Sequence, residues 1–310
     1  MANLLNVSKQ YLDIVNKQPA LHTMTPAEVR RLRQTNSKKQ LERNVQLKSI
    51  EDKFISMRDG ETIKIRIYTP LGNGPFPIIV YYHGGGWVLN SIETCHESCQ
   101  LLSFETNSII VSVDYRLAPE YKFPIPVYDA YDSFLWTYKN AQMINGLVNK
   151  ISVMGDSAGA NLATVVTLIN KELQGPSIHS QVLLYPVTDL SYESESYEQF
   201  KVGYGLEKKD MEWFGRYYLN NENEKTHPYA APLRAFDLGN LPPACIIVAE
   251  NDVLRDEGNA YAKRLKDSGV NVDLHTAAGL VHSFFTKNEI FTVEIADTIA
   301  FIKNYLKQLI

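Results

Sequence analysis

The chain has 310 residues and a mass of 35.2 kDa, which is more than one hydrophobic core usually holds, so we expect a domain of about 250 residues with an insertion or cap. The hydrophobic share of 45% and the charged share of 21% are typical of a soluble globular protein. The 31 basic and 35 acidic residues give a net charge of -4, and no basic stripe is present, which argues against nucleic acid as a partner.

No run of 18 apolar residues occurs, and the N-terminal residues lack the basic start and apolar core of a signal peptide. We therefore expect a cytoplasmic protein without stable membrane association. The three cysteines cannot all pair. Cys95, His96 and Cys99 lack the second pair of ligands that a zinc site needs, so we predict no metal. Cys95 and Cys99, four residues apart, are expected on the inner face of a helix.

The N-terminal fifty residues are polar and helix-like. Thr25, Pro26 and Glu28 form a capping-box start with proline at the first helical position, and the basic residues Arg30, Arg31 and Arg33 that follow are interpreted as a solvated helix face. From residue 52 the sequence has a period of two, and after an Asp59-Gly60 turn the apolar residues Ile63, Ile65 and Ile67 occupy alternate positions. This pattern predicts an antiparallel hairpin at a sheet edge.

Short apolar runs then alternate with helical segments along the chain. A sequence of this kind predicts the α/β class, with a mostly parallel sheet that has helices on both faces and binds ligands at the carboxyl ends of its strands. The predicted strands are Ile78 to Tyr82, Ile109 to Val113, Ile151 to Met154, Val182 to Tyr185, Cys245 to Ala249 and Val272 to His275.

About sixty residues rich in aromatic side chains separate two of these strands, between Pro186 and Cys245. A connection in such a sheet needs far fewer residues, so this segment is an insertion. Its aromatic residues form either a core-facing stripe or an apolar lid over the strand ends, and we favour the lid. We assign contacts with the substrate to Trp87, Tyr204, Trp213 and Phe214.

Gly155-Asp156-Ser157-Ala158-Gly159 follows a predicted strand and precedes a helical run. This is the arrangement of a nucleophile elbow, in which Ser157 occupies a strained position on a sharp turn. Glycine is required on either side because other side chains would collide with the neighbouring strand and helix.

His83-Gly84-Gly85-Gly86 also follows a predicted strand. A phosphate-binding loop would continue with a lysine or a helix start, which Trp87-Val88-Leu89 does not provide. In acyl transfer, the N–H groups of Gly85 and Gly86, or of Gly84, are suited to hold an oxyanion together with the N–H of Ala158. His83 is expected to brace the loop.

A serine nucleophile needs a base and an orienting carboxylate. Among the histidines after Ser157, His282 lies in the best-placed loop. Asp252 follows a strand at the edge where Ser157 must lie, and Asp189, which also follows a strand, is the competitor. We favour Asp252.

Five motifs occur in order: H-G-G-G-W, D-Y-R-L-A-P-E (114–120), G-D-S-A-G, the Asp252 segment and His282. With them the chain resembles the hormone-sensitive lipase-like (bacterial family IV) esterases from about residue 50 onward. The resemblance implies an α/β-hydrolase fold of about eight strands, with core segments 49–189 and 226–310 and a cap formed by residues 1–48 and 190–225. It also implies a triad of Ser157, Asp252 and His282.

The sequence departs from the family pattern at three positions: Ala160 and Ser283 stand where the family commonly has glycine, and Val253 replaces a proline. None of the three removes a reacting group. Asp114, Arg116 and Glu120 belong to a structural motif of the family, and we interpret them as a buried ionic brace.

These observations predict a cofactor-independent serine hydrolase of short-chain carboxylic esters whose partner is a small-molecule ester. An amidase or deacetylase would use the same groups and stays open as an alternative. A ligand receptor on an inactive hydrolase scaffold is disfavoured, because receptors of this kind lack the histidine that His282 supplies. A homodimer is compatible with the sequence, which leaves the oligomeric state open.

Overall fold

A computed structural model describes residues 3–36 and 45–309. One eight-stranded sheet with the order β1-β2-β4-β3-β5-β6-β7-β8 forms the centre of the molecule. The first two strands pair antiparallel and β2 pairs antiparallel with β4, whereas all other pairs are parallel. The strands are β1 (Ser49–Ser56), β2 (Thr62–Thr69), β3 (Phe76–Tyr82), β4 (Ile109–Asp114), β5 (Gly146–Asp156), β6 (Gln181–Leu184), β7 (Ala244–Asn251) and β8 (Val272–Val281).

The helices lie between and beyond these strands. They are α1 (Asn6–Val15), α2 (Pro26–Asn36), α3 (His96–Thr106), α4 (Ile125–Asn140), α5 (Ala158–Glu172), α6 (Glu195–Gln199), α7 (Lys208–Tyr218), α8 (Arg255–Asp267) and α9 (Thr292–Gln308). The predicted α/β-hydrolase architecture is therefore confirmed, and the eight strands include all six predicted buried runs and the edge hairpin.

Alternate residues of the central strands bury side chains on opposite faces of the sheet. Val80 and Val153 pack on the face that is covered by α4, α5 and α8. Ile79 and Met154 pack on the other face, against α3 and α9. Cys99 is buried on this second face on the inner side of α3, as predicted, whereas Cys95, also buried, lies just before the first residue of the helix.

The capping box predicted at residue 25 is present: the N–H of Thr25 donates to Glu28 Oε2 at 2.7 Å, and the N–H of Glu28 donates to Thr25 Oγ1 at 3.4 Å. In the helix that it starts, Arg31 and Arg33 are exposed, as expected for a solvated basic face, but Arg30 is not. Arg30 donates through Nε to the Val88 carbonyl at 2.9 Å and pairs with Glu120 at 2.7 Å. It thereby ties α2 to the loop that follows β3.

The ionic brace expected within residues 114–120 is also different. Arg116 pairs with Asp129 at 2.6 Å and with Asp59 at 2.7 Å, whereas Glu120 pairs with Arg30. The charged side chains of residues 114–120 thus pair with distant parts of the chain and not with one another. The two ion pairs of Arg116 join this segment to α4 and to the turn between β1 and β2.

The insertion is attached to the N-terminal segment by several hydrogen bonds. Trp213 Nε1 donates to the Met24 carbonyl at 2.9 Å, His22 Nδ1 bonds Asp210 Oδ1 at 2.9 Å, and Asn16 Nδ2 donates to the Gly203 carbonyl at 3.0 Å. None of the helices in the described ranges is long and apolar enough to cross a membrane.

Candidate active site

The turn between β5 and α5 holds Ser157 in a conformation that L-residues rarely adopt, with φ of 56°. The glycines on either side permit this turn. A Cβ at Gly159 would overlap the Tyr82 carbonyl oxygen, and one at Gly155 would overlap the backbone of Gly159. Backbone cannot move aside as a flexible side chain can, so the predicted role of these two glycines is confirmed.

Ser157 and His282 lie within hydrogen-bonding distance, with Ser157 Oγ 2.9 Å from His282 Nε2. On the other side of the ring, His282 Nδ1 lies 2.6 Å from Asp252 Oδ2. Because a carboxylate only accepts, Nδ1 donates to Asp252, and Nε2 is left to accept the Ser157 proton. Tyr185 packs edge-on against the imidazole with ring centroids 4.8 Å apart. All three side chains are buried, and the two hydrogen bonds fix their positions relative to one another.

Asp189, the competing candidate, lies elsewhere in its own ion pair. Its carboxylate accepts from Arg234 Nε at 2.9 Å and Nη2 at 2.8 Å, and also from Ser191 Oγ at 2.8 Å. Asp252, in contrast, reaches His282 and accepts the N–H of Leu254 at 3.0 Å with its second oxygen. The geometry therefore favours Asp252.

The glycine loop after β3 contributes two residues, Gly85 and Gly86, to the wall of the cavity that holds Ser157. Both have positive φ, 117° and 60°. Within the described ranges, neither their N–H groups nor that of Ala158 donate to a backbone acceptor. These three N–H groups are suited to bind an oxyanion beside Ser157.

Gly84 differs from the other two loop glycines, and its assignment as an oxyanion donor is corrected. Its N–H already donates to Asp156 Oδ1 at 2.9 Å. The carbonyl of Gly84 accepts from His83 Nδ1 at 2.8 Å, and His83 stacks on Tyr115 with centroids 4.3 Å apart. Gly84 and His83 therefore fix the shape of the loop, as expected for His83.

Asp156 is a positioning residue that the sequence reasoning missed. Besides Gly84, its Oδ1 accepts the Tyr81 hydroxyl at 2.8 Å. Burial raises the pKa of this carboxyl, and the hydrogen bond from Tyr81 and the nearby His83 oppose the rise. Its place directly before Ser157 was the only signal in the sequence, and it gave no hint of the contact with the glycine loop.

We expect Asp156→Ala to lower kcat by up to about 10²-fold, because the glycine loop loses its anchor and its N–H groups shift away from the oxyanion. Tyr81→Phe leaves the Gly84 hydrogen bond in place and should cost much less. Steady-state kinetics, with melting temperatures to check folding, would test this. An Asp156→Ala enzyme that folds and keeps its kcat would contradict the positioning role.

A cavity of about 410 Å³ opens over Ser157 and His282. Its walls come from the N-terminal segment, from the glycine loop, from the loop after His282 and from the insertion. The insertion contributes Val202, Gly203, Gly205, Leu206, Glu207, Asp210, Met211 and Phe214. Residues of the insertion thus line the cavity over the strand ends, where the lid interpretation placed them.

The four residues expected to contact substrate do not all line this cavity. Phe214 does. Trp87 is fully buried and stacks on Tyr218 with centroids 4.2 Å apart, and Trp213 is buried with its Nε1 bonded to the N-terminal segment. Tyr204 packs against Phe200. Trp87 and Trp213 are therefore framework residues whose large rings pack behind the cavity wall, whereas Tyr204 is half-buried and is not among the residues that line the cavity.

Ser283, where the family commonly has glycine, adopts φ of 64°. This left-handed conformation explains a preference for glycine and costs another residue roughly 1 kcal/mol. The departure leaves His282 in place.

One group of metal-type ligands occurs in the ranges that the structure describes. His22, Glu207 and Asp210 bring ligand atoms within 4.8 Å of one another. The contacts among them join the N-terminal segment to α7: His22 bonds Asp210, and Asp210 caps the helix by accepting the N–H of Glu207 at 3.1 Å. No further observation points to a metal there.

Residues 79–286 match a family model described as the alpha/beta hydrolase fold. The chain belongs to this family. A putative alpha/beta hydrolase of Acanthamoeba polyphaga mimivirus is 34% identical over 290 residues, which are 92% of this chain and 82% of that protein. An ethyl acetate hydrolase of Pseudomonas putida is 34% identical over 254 residues, covering 80% of this chain and 79% of the relative.

Among solved structures, that of an esterase from the fungus Rhizomucor miehei matches this α/β hydrolase with a TM-score of 0.94 at 32% identity. The match covers 100% of this chain and 97% of the fungal one. The resemblance to hormone-sensitive lipase-like esterases is thus confirmed at the level of fold and family.

Proposed function

We propose that the protein is a serine carboxylic ester hydrolase with Ser157 as nucleophile, His282 as base and Asp252 as its orienting partner. The observation that carries this proposal is the continuous pair of hydrogen bonds, 2.9 Å from Ser157 Oγ to His282 Nε2 and 2.6 Å from His282 Nδ1 to Asp252 Oδ2, at the wall of a cavity. Relatives that are named as ester hydrolases support it.

The reaction begins when His282 Nε2 takes the Ser157 proton and Oγ attacks the ester carbonyl. Negative charge develops on the carbonyl oxygen, where the N–H groups of Gly85, Gly86 and Ala158 stabilise it. His282 then protonates the leaving alcohol, and an acyl-enzyme remains. Water, activated by the same imidazole, releases the acid and restores Ser157. No step of this sequence needs a metal or cofactor.

An amidase would use the same catalytic groups as an esterase. A receptor would bind its ligand without any reaction at Ser157. A panel of matched nitrophenyl esters and nitroanilides separates these alternatives. We expect rapid turnover of esters and little of anilides. Anilide turnover equal to that of the esters would favour the amidase, and binding without turnover would favour the receptor.

We expect specificity, measured as kcat/KM for nitrophenyl esters from acetate to palmitate, to be highest between about two and eight acyl carbons. Each methylene that fits adds up to about 0.8 kcal/mol, roughly fourfold, whereas one that collides removes more. The cavity of about 410 Å³ lies near the small end for ligand sites. Polar residues such as Asn16, Gln18 and Asn90 also line it.

Phe214→Leu should move this maximum to longer chains because it shortens a side chain of the cavity wall. Trp213→Phe alters the neighbouring residue, which is buried behind the wall, and should leave the maximum unchanged. A maximum at twelve carbons or more, or a jump in rate once the substrate forms an interface, would contradict the short-chain preference. The cytoplasmic location stays a prediction of the sequence, and the oligomeric state stays open.

A further inference from the structure

Two cationic side chains from distant parts of the chain line the same cavity as Ser157. Arg33 comes from α2, and Lys287 comes from the turn that follows His282. Arg33 Nη1 donates to Asn90 Oδ1 at 2.5 Å, and Asn90 Nδ2 donates to the Gly84 carbonyl at 3.2 Å. The guanidinium is therefore linked to the glycine loop and held on the cavity wall.

Neither cation has a carboxylate within 4.0 Å among the described residues. Arg30, one turn earlier on the same helix, illustrates the contrast because it pairs with Glu120 at 2.7 Å. Lys287 is half-buried, and Glu289 favours its charged form from a distance without forming an ion pair. A half-buried ammonium without a carboxylate partner, such as that of Lys287, is costly unless something that binds in the cavity compensates its charge.

The carboxylates that line the cavity are already engaged by other groups. Asp156 accepts from Gly84 and Tyr81. Asp210 bonds His22 and the N–H of Glu207, and Glu207 in turn accepts the N–H of Gly203 at 3.1 Å. Asp210 attracts Arg33 from a distance, but it is committed to the contact between α7 and the N-terminal segment.

The two cations also repel each other. Burial lowers the pKa of Lys287, and the nearby Arg33 lowers it further. Arg33, in contrast, is exposed, and it lines the same cavity. An anion bound near both side chains would relieve the repulsion and replace the lost hydration.

We propose that Arg33 and Lys287 bind a carboxylate on the substrate, so that the preferred substrates are esters that carry one free carboxylate. This inference rests on the proposed ester hydrolysis at Ser157. A guanidinium provides a planar fork of donors and an ammonium a compact charge, and both suit a carboxylate. The free acid group lies on the acyl part, as in a dicarboxylic acid monoester, or on the alcohol part, as in an acylated hydroxy acid.

Two matched pairs of substrates distinguish these cases by kcat/KM in a pH-stat assay. Monoethyl glutarate is compared with the neutral, similarly shaped ethyl 5-methylhexanoate, and O-acetylglycolate is compared with isobutyl acetate. We expect kcat/KM of the wild-type enzyme to be higher for the charged member of at least one pair by about tenfold or more. A ratio of this size corresponds to the free energy of one charge-assisted hydrogen bond.

In the double variant Arg33→Gln/Lys287→Gln, that preference, the ratio of kcat/KM for the charged ester to kcat/KM for its neutral partner, should fall by at least about tenfold. Arg31→Gln removes the same charge from a residue of α2 that is not on the cavity wall and should keep the preference. A smaller fall in the double variant, or no preference for either charged ester in the wild type, overturns the inference. If the neutral esters are not hydrolysed at all, the proposed function itself fails, and this is a separate result.

Discussion

Ser157→Ala is expected to lower kcat for ester hydrolysis by several orders of magnitude while the fold is retained. Removal of Oγ abolishes the acyl-enzyme route, so only the oxyanion donors and substrate binding continue to act, and these are worth roughly 10³ to 10⁴ over water. Stability should change little, because alanine keeps the Cβ and loses one hydroxyl whose partner, His282, stays bonded to Asp252.

The measurement is single-turnover and steady-state kinetics on nitrophenyl acetate, with a melting curve for each protein. A fluorophosphonate should inactivate the wild type stoichiometrically and label Ser157, and mass spectrometry of the labelled peptide would identify the site. Ser283 also lines the cavity and provides a matched control: Ser283→Ala should keep most of the activity. Labelling of another serine, or a tenth of wild-type turnover in Ser157→Ala, would disprove the nucleophile assignment.

Local patterns were sufficient to predict the framework of the fold. The alternation of Ile63, Ile65 and Ile67 predicted the edge hairpin, since a half-buried strand must repeat every two residues, and all three side chains are buried. Gly269 follows the end of α8 with φ of 81°, as expected for a glycine that ends a helix. These features depend on neighbours along the chain, which the sequence displays directly.

Features that depend on partners distant along the chain could not be predicted in the same way. The basic run of α2 has the composition of a solvated face, yet Arg30 contacts residues 58 to 90 positions away. Trp87 and Trp213 have the character of substrate-binding aromatics, but their rings pack behind the cavity wall. A local pattern specifies what a side chain is, whereas its contacts depend on how the elements pack.

The oxyanion loop shows the same limit at the scale of single atoms. Three consecutive glycines present three equivalent N–H groups in the sequence. The structure makes them unequal because Asp156 Oδ1 lies 2.9 Å from the N–H of Gly84 and engages it. Asp156 is adjacent to the nucleophile, so the same turn that strains Ser157 also anchors the loop that faces it.

Asn substitutions at the two candidate acids should have very different effects. In Asp252→Asn the amide can donate to His282 Nδ1, which places the ring proton on Nε2, so that Nε2 can no longer accept the Ser157 proton. In a serine protease the corresponding change lowers kcat by about 10⁴, and we expect a loss approaching that size here.

Asp189→Asn instead weakens the pair with Arg234, whose side chain is largely exposed, and should cost up to about 1 kcal/mol of stability with kcat nearly unchanged. Both variants keep the shape of the carboxylate, so the comparison isolates charge and proton position from packing. The kcat of each on nitrophenyl acetate, with unfolding midpoints in urea, provides the test. If kcat falls further in Asp189→Asn than in Asp252→Asn, the hydrogen bond between His282 and Asp252 is not the one that orients the base during turnover.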